Sequence, residues 1–448
     1  MNMKLSELFA NVPEGFADME FPSHLATDSR DVINGGAFVA LEGEKTDGHK
    51  YIPQAVANGA GLIIVRTGKK PDGVNVPVIE LDNPERDLAD IASRKLASHN
   101  LQEVICITGS VGKTTTRAAL QKVLAPHFTL HAPERSFNTL IGCTATIMAM
   151  PLESEILILE FGANKPGEIK ELTQYFPPTI AVLTAVAPVH LEGFGSVEGV
   201  LAEKIEITHS TSVRKIIFNN DNPYLSEAFK YVVKSMGVGE WKDSDFVLAV
   251  DKSEYSLPAL SFVLSHRVSQ EIARFTANIW GKHNAMPLAL AASIGHELGI
   301  SLQESADALA DFQALEGRGR VIILDNGHKF LVDDAYNANP ASMRASLETF
   351  VKVVCAGKIA VLGEMRELGE NAAQFHAELE PLFEGIDGVI LVGDIWRGAV
   401  KGDYVFAPNW QEALKAVREI ASSREIQGVL VKGSHSIGLE NVVRELAE

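Results

Sequence analysis

Lys113 stands in the run Thr108-Gly109-Ser110-Val111-Gly112-Lys113-Thr114-Thr115, between the apolar stretch VICI and a helix-like segment. Two glycines at that spacing let the backbone turn tightly, so that its N–H groups and the following helix N-terminus face an anion. A lysine at the end of the turn reaches terminal phosphates, and the Thr114 hydroxyl is placed for a magnesium ion. The pattern is a phosphate loop suited to ATP. It is shorter than the strict form, because Ile107 occupies the place of the first glycine. The bland alternative is a strand-to-helix turn that holds nothing.

Other side chains gain meaning beside that loop. Glu160 ends the apolar run EILILE, and a carboxylate at the C-terminal edge of a strand next to a phosphate loop can hold magnesium. Alone it reads as a solvated loop acid. His190 follows TIAVLTAV and reads alone as a structural histidine, since magnesium prefers oxygen. Lys204, in VEGVLAEKIEI, reads alone as a solvated helix lysine. Arg318, in EGRGR, has the planar fork that matches phosphate and stays charged. Asp334 in DDAYNANP can accept hydrogen bonds from ribose hydroxyls, although the turn chemistry of NANP explains part of that stretch unaided.

Elements must bring these residues together. Residues 1–98 alternate short apolar runs (GAFVAL, GLIIV, VPVIEL) with a helix-like IPQAVANGA, a small α/β unit. From VICITG onward, EILILEF, TIAVLTAV and KIIFNN are separated by helix-length segments, as in a parallel sheet with crossover helices. A helix-rich stretch with AMPLALAASIGHELG then closes a second unit, residues 99–313. FQALEGRGRVIIL turns from helix to strand around Gly317–Arg320. FLVDDAY, KIAVLGEM, GVILVGD and GVLVKGS then restart the alternation over residues 314–448, the grammar of a doubly wound, Rossmann-like sheet. With 448 residues, 46% hydrophobic and 22% charged, the chain has the makings of about three globular domains.

Acids outnumber bases, 58 to 40, for a formal charge of −18. That field disfavours nucleic acid and anionic membranes as partners, so an anionic substrate must be met by local groups. Cys106, Cys143 and Cys355 are far apart in apolar surroundings, which suggests buried thiols in a reducing compartment. No apolar run is long enough to span a membrane, and the N-terminus has no export signal, so a cytoplasmic protein is expected.

The phosphate loop, LEFGANKPGEI, HLEGFGS, GKHNAMPLALAA, EGRGR, DDAYNANPASMRASL and VKGSHS together resemble the Mur ligase family, from DSRDVINGGAFVALEGEKTDGH to VKGSHSIGLENVV. The likeness runs to those members that join D-alanyl-D-alanine to UDP-N-acetylmuramoyl-tripeptide. It implies α/β architecture in three domains: an N-terminal UDP-binding domain, a central P-loop parallel-sheet ATPase domain and a C-terminal Rossmann-like domain. It further implies a monomer that uses ATP and two magnesium ions.

The resemblance also distributes roles. It makes Lys113, His190, Lys204 and Arg318 catalytic. Thr114, Glu160, His190 and Lys204 become metal ligands, with Lys204 carbamylated, a change that needs a neutral amine. Asn284, Arg318, Asp334 and Tyr336 join Thr108 through Thr115 around the nucleotide. Asp28, Ser29, Arg30, Gly48 and His49 take the uridine diphosphate moiety, while Asn138, Asn337, Asn339, Lys432, Ser434 and His435 serve the peptide and the incoming amine. The sequence departs from the family at Thr139 and Leu140, at Ala335 in place of a serine, and at His435 in place of an arginine. The implied reaction is amide formation through an acyl phosphate. The open alternatives are a related amide ligase with another amino acceptor, the folate-type ligases included, and a P-loop switch or kinase that joins nothing.

Overall fold

The computed structural model describes residues 3–43, 46–250, 260–324 and 329–448. Three sheets follow one another along the chain. The first has four parallel strands, Leu25–Ala26, Ala37–Val39, Leu62–Arg66 and Val78–Leu81, in sequential order. Helix Pro84–Ser98 leaves it. Asn83 starts that helix by accepting the Arg86 N–H, and Pro84 occupies the first turn, where a missing N–H costs nothing.

The second sheet has nine strands, and its centre is strand Glu103–Thr108 between strands Ile156–Phe161 and Ile180–Leu183, all parallel. Every residue of Glu103–Thr108 and Ile156–Phe161 is buried, as expected of strands covered by helices on both faces. Helix Lys113–Leu124 packs on one face together with helix Ala285–Glu297. Their Leu120, Val123, Leu288 and Ala292 share a core with Ile105 and Ile107 of the strand.

The parallel sheet expected for this region is only part of it. Strands Phe246–Val250, Leu260–His266 and Ile272–Ala277 add an antiparallel extension at one edge. The last of these alternates exposed and buried residues, the mark of a half-covered edge strand. In the third sheet, strands Lys329–Asp334, Gly428–Lys432, Lys358–Gly363, Gly388–Val392 and Val405–Ala407 are parallel in that spatial order. Arg320–Leu324 pairs antiparallel at the edge. No helix among the described residues is long and apolar enough to cross a membrane. Cys106 and Cys143 are buried free thiols, whereas Cys355 is only partly covered because it follows the end of helix Pro340–Lys352.

Candidate active site

The phosphate loop leaves the end of strand Glu103–Thr108, at the C-terminal edge where ligands of parallel sheets collect. Gly109 has φ 148, and a Cβ there would collide with the Thr184 hydroxyl and lie 2.9 Å from the Ala185 nitrogen, so only glycine fits. Ser110 ties the loop to the next strand end, its N–H bonding Ala185 O and its Oγ accepting the Ala187 N–H at 3.0 Å. Thr108 ends the strand behind the loop, its hydroxyl donating to Phe161 O.

Lys113 Nζ donates to Gly109 O at 2.5 Å, folding the side chain over its own loop. Burial, opposed by Glu160 and assisted by Arg318, brings its pKa down to about 8. Glu160 is fully buried. Its Oε2 accepts the Thr114 hydroxyl at 3.0 Å and its Oε1 accepts Arg117 Nε at 2.7 Å. Arg117 itself is buried and also donates to Pro133 O and Gln121. Thr114 Oγ1 is 3.3 Å from Ser136 Oγ, whose other neighbour is Arg318 Nη2 at 3.4 Å. Thr114, Ser136 and Glu160 thus bring hard oxygens together beside the loop, a donor set that fits a magnesium ion.

Two cavities open from this point. One, of about 420 Å³, lies between the central and C-terminal sheets and brings together Ser110–Thr115, Asn138, Asn284, Arg318, Asp334 and Tyr336. The other, of about 430 Å³, runs from Gly109, Ser110 and Lys113 past Asn138, Thr139 and Leu140 to Lys204, and reaches Asn83, Glu85 and Arg86 of the N-terminal region. Ser110, Lys113, Asn138, Asn164 and His190 line both, so a group bound in one can meet a group bound in the other.

On the C-terminal side, Arg318 stacks on the Tyr336 ring at 4.2 Å. The buried Asp333 holds the turn that carries Arg318, accepting the Gly317 N–H at 2.8 Å, and Gly317 takes φ 70 against the Tyr336 backbone. Asp334 Oδ2 is bound by Lys432 Nζ at 2.9 Å and by the Ser346 hydroxyl at 2.6 Å, which leaves Oδ1 to accept from a ligand. Asn284 is buried and donates to Trp280 O. Beside it His283 lines the nucleotide-sized cavity, with Nδ1 buried and unpartnered and its pKa pushed down to about 4 by burial.

Lys204 is 2% exposed, and burial, reinforced by Lys113, lowers its pKa to about 7. Its neighbour Glu203 is spoken for, accepting the Gly167 and Ile169 N–H groups at the start of helix Glu168–Tyr175. His190 has φ 49, a strained left-handed backbone for a non-glycine residue, and its Nδ1 meets Oε2 of Glu367 from the C-terminal sheet's loops.

Several residues expected at the substrates also hold the local structure, and Asn337, Asn339 and Lys432 among them line the first cavity. Asn339 caps helix Pro340–Lys352 by accepting the Ser342 N–H at 2.9 Å, and Asn337 accepts the Ala338 N–H. Lys432 is buried, pins Asp334 and Asn337 O, and lines the first cavity. Ser434 is buried and accepts the Arg366 N–H, and His435 stacks on Tyr336 at 5.7 Å between ring centres. In the N-terminal region, Asp28 pairs with Arg30 and is held to a pKa of about 2 by it. Ser29 is buried on Gln54, and Gly48 packs on Leu41 beside His49, whose ring bonds Asp47 at 2.6 Å. None of these lines either cavity, and Glu44 and Lys45 of the same GEKTDGH stretch fall outside the described residues.

Three family descriptions match the chain in order: the Mur ligase family catalytic domain over residues 23–103, the Mur ligase middle domain over 107–295, and the Mur ligase glutamate ligase domain over 317–435. The UDP-N-acetylmuramoyl-tripeptide–D-alanyl-D-alanine ligase of Bacillus subtilis is 32% identical over 437 residues, 95% of this chain and 93% of that protein. The chain belongs to the Mur ligase family. Among relatives of this Mur ligase, the enzyme of the same name from Rickettsia prowazekii is 30% identical, with 93% of each chain covered. The crystal structure of the MurF ligase of Thermotoga maritima in complex with ADP superposes with TM-score 0.80 at 27% identity, covering 95% of this chain and 97% of that one. The MurF structure from Acinetobacter baumannii gives 0.83 at 26% identity, covering 96% and 94%.

Arg117, Ser136, His283, Asp333 and Glu367 were missed by the sequence reading. Arg117 alone carried a signal, standing four residues after Lys113 on the same helix and so able to face what the loop holds.

Proposed function

We propose that this Mur ligase joins D-alanyl-D-alanine to UDP-N-acetylmuramoyl-tripeptide at the expense of ATP, forming an amide in the making of cytoplasmic peptidoglycan precursors. The observation that carries the reading is the meeting of two cavities at Lys113. One has the lining of a nucleotide site and the other leads towards the N-terminal region. The full-length similarity to ligases of that name supports the choice of substrates.

The chemistry follows from the site. A carboxylate is a poor electrophile, so the tripeptide carboxylate first takes the γ-phosphoryl group of ATP, giving an acyl phosphate and ADP. Lys113, folded over the phosphate loop, and Arg318, held between Tyr336 and Ser136, offset charge on the transferring group. The dipeptide amine then attacks the acyl carbon, and phosphate leaves as the tetrahedral intermediate collapses. Thr114 and Glu160 would hold one magnesium ion and His190 with a carbamylated Lys204 a second. Such ions, when bound, neutralise phosphate charge. Near neutral pH Lys204 has a substantial neutral fraction, the form that combines with carbon dioxide.

The working unit is taken as one chain with bodies at 1–98, 99–313 and 314–448, whose closure assembles three substrates. The test is phosphate release by purified protein. Release that needs both the UDP-linked tripeptide and the dipeptide supports the reading, and steady ATP hydrolysis with neither would contradict it.

A further inference from the structure

We propose that Glu367 is a positioning residue for this reaction: from the C-terminal domain it grips His190 and so ties closure of that domain to the orientation of a side chain that lines both cavities. The inference rests on the ligase reading above. His190 and Glu367 are 177 residues apart, yet Nδ1 of one meets Oε2 of the other. Both have left-handed backbones, φ 49 and φ 63, and Gln270 is the only other non-glycine residue with positive φ among the described residues. An exposed ion pair between ordinary surface residues is worth little and would not by itself sustain strained backbones on both sides. Strain of this kind persists where the surroundings over-determine it, and the surroundings here do so.

On the C-terminal side, the loop carrying Glu367 is anchored to its own domain. The Arg366 N–H donates to Ser434 Oγ at 3.2 Å, and the Arg366 guanidinium pairs with the buried Glu364 at 2.9 Å. Two residues on, Gly369 sits close to Glu192 of helix Leu191–Phe194. On the central side, His190 O accepts the Gly193 and Phe194 N–H groups at 2.9 and 3.1 Å. The imidazole lies edge-on to Phe194, whose ring in turn faces Lys204 Nζ at 5.8 Å. Glu367 therefore holds one end of a chain of contacts that passes through His190 and Phe194 to Lys204. The contact with the carboxylate fixes the ring's orientation and leaves Nε2 on its far side. Opening of the C-terminal domain removes the carboxylate and frees the ring's rotation.

Glu367→Gly separates the grip from the strain, because glycine adopts φ 63 freely. The melting temperature of that variant is expected to equal or exceed that of the wild type. Its kcat for pentapeptide formation should fall about 10–100-fold, the loss seen when an outer partner of a working imidazole is removed, with KM for ATP little changed. Glu367→Gln keeps an accepting oxygen and should recover part of the rate. Small-angle scattering with a non-hydrolysable ATP analogue and the UDP-linked tripeptide should leave Glu367→Gly more open than the wild type. Wild-type kcat and closure in Glu367→Gly would overturn the positioning role alone. A wild-type protein that forms no pentapeptide would overturn the ligase reading and this inference with it.

Discussion

Lys204 offers a perturbation whose size and sign follow from the structure. Burial takes its pKa from the ordinary 10.5 to about 7. That drop corresponds to roughly 5 kcal/mol acting against the ammonium inside the fold, an upper bound because the surroundings relax. Below pH 7 the group is charged in both states and the whole cost is present. Between 7 and 10.5 the folded protein holds the neutral amine while the unfolded chain still binds a proton, so stability rises with pH across that window. Lys204→Met fills the space and removes the charge. The variant should be more stable than the wild type by up to roughly 5 kcal/mol at about pH 6, and by only about 1–1.5 kcal/mol at about pH 9.5. Ligase activity should be lost throughout. The assay is protection of amides in strand Glu103–Thr108 and helix Val197–Ile205 against hydrogen exchange in carbon dioxide-free buffer, since carbamylation would replace the ammonium with an anion. A gain that stays constant with pH, or no gain near pH 6, would refute the argument that Lys204 is buried at the expense of its charge.

Arg117→Ala should destabilise the central domain by about 3–5 kcal/mol, because it leaves the fully buried Glu160 carboxylate without its cation; urea unfolding measures this, and a loss below 1 kcal/mol would contradict it. Gly109→Ala should abolish ATP binding, read by calorimetry, because the new methyl group would displace Thr184 from the phosphate loop. Lys113→Ala should eliminate phosphate release while leaving the circular dichroism spectrum and melting temperature close to wild type, since the lysine is bonded only to its own loop; a folded variant that still turns over would remove Lys113 from the mechanism.

What the sequence made legible is what local spacing encodes. The phosphate loop, its strand and its helix are contiguous, so glycine, lysine and threonine in one run announce both the turn and its ligand. The parallel strands of the first and second sheets stood out as apolar runs because both of their faces are covered. The antiparallel extension was less visible: its last strand is half exposed, and the hairpin partners are defined only by pairing across Leu260–His266. Pairings between distant residues left no mark either. Arg117 meets Glu160 across 43 positions, and Lys432 meets Asn337 across 95. Asn339 shows the reverse difficulty, since asparagine before proline suits a helix cap as well as a ligand; here it caps helix Pro340–Lys352 and lines the first cavity as well.

The central claim is that ATP activates the tripeptide carboxylate for attack by the dipeptide amine. UDP-N-acetylmuramoyl-tripeptide labelled with oxygen-18 in that carboxylate, mixed with ATP, magnesium and D-alanyl-D-alanine, tests it most directly by mass spectrometry. The account predicts UDP-N-acetylmuramoyl-pentapeptide and inorganic phosphate carrying one oxygen-18 atom from the carboxylate. Pentapeptide accompanied by unlabelled phosphate, or phosphate release without pentapeptide, would contradict it.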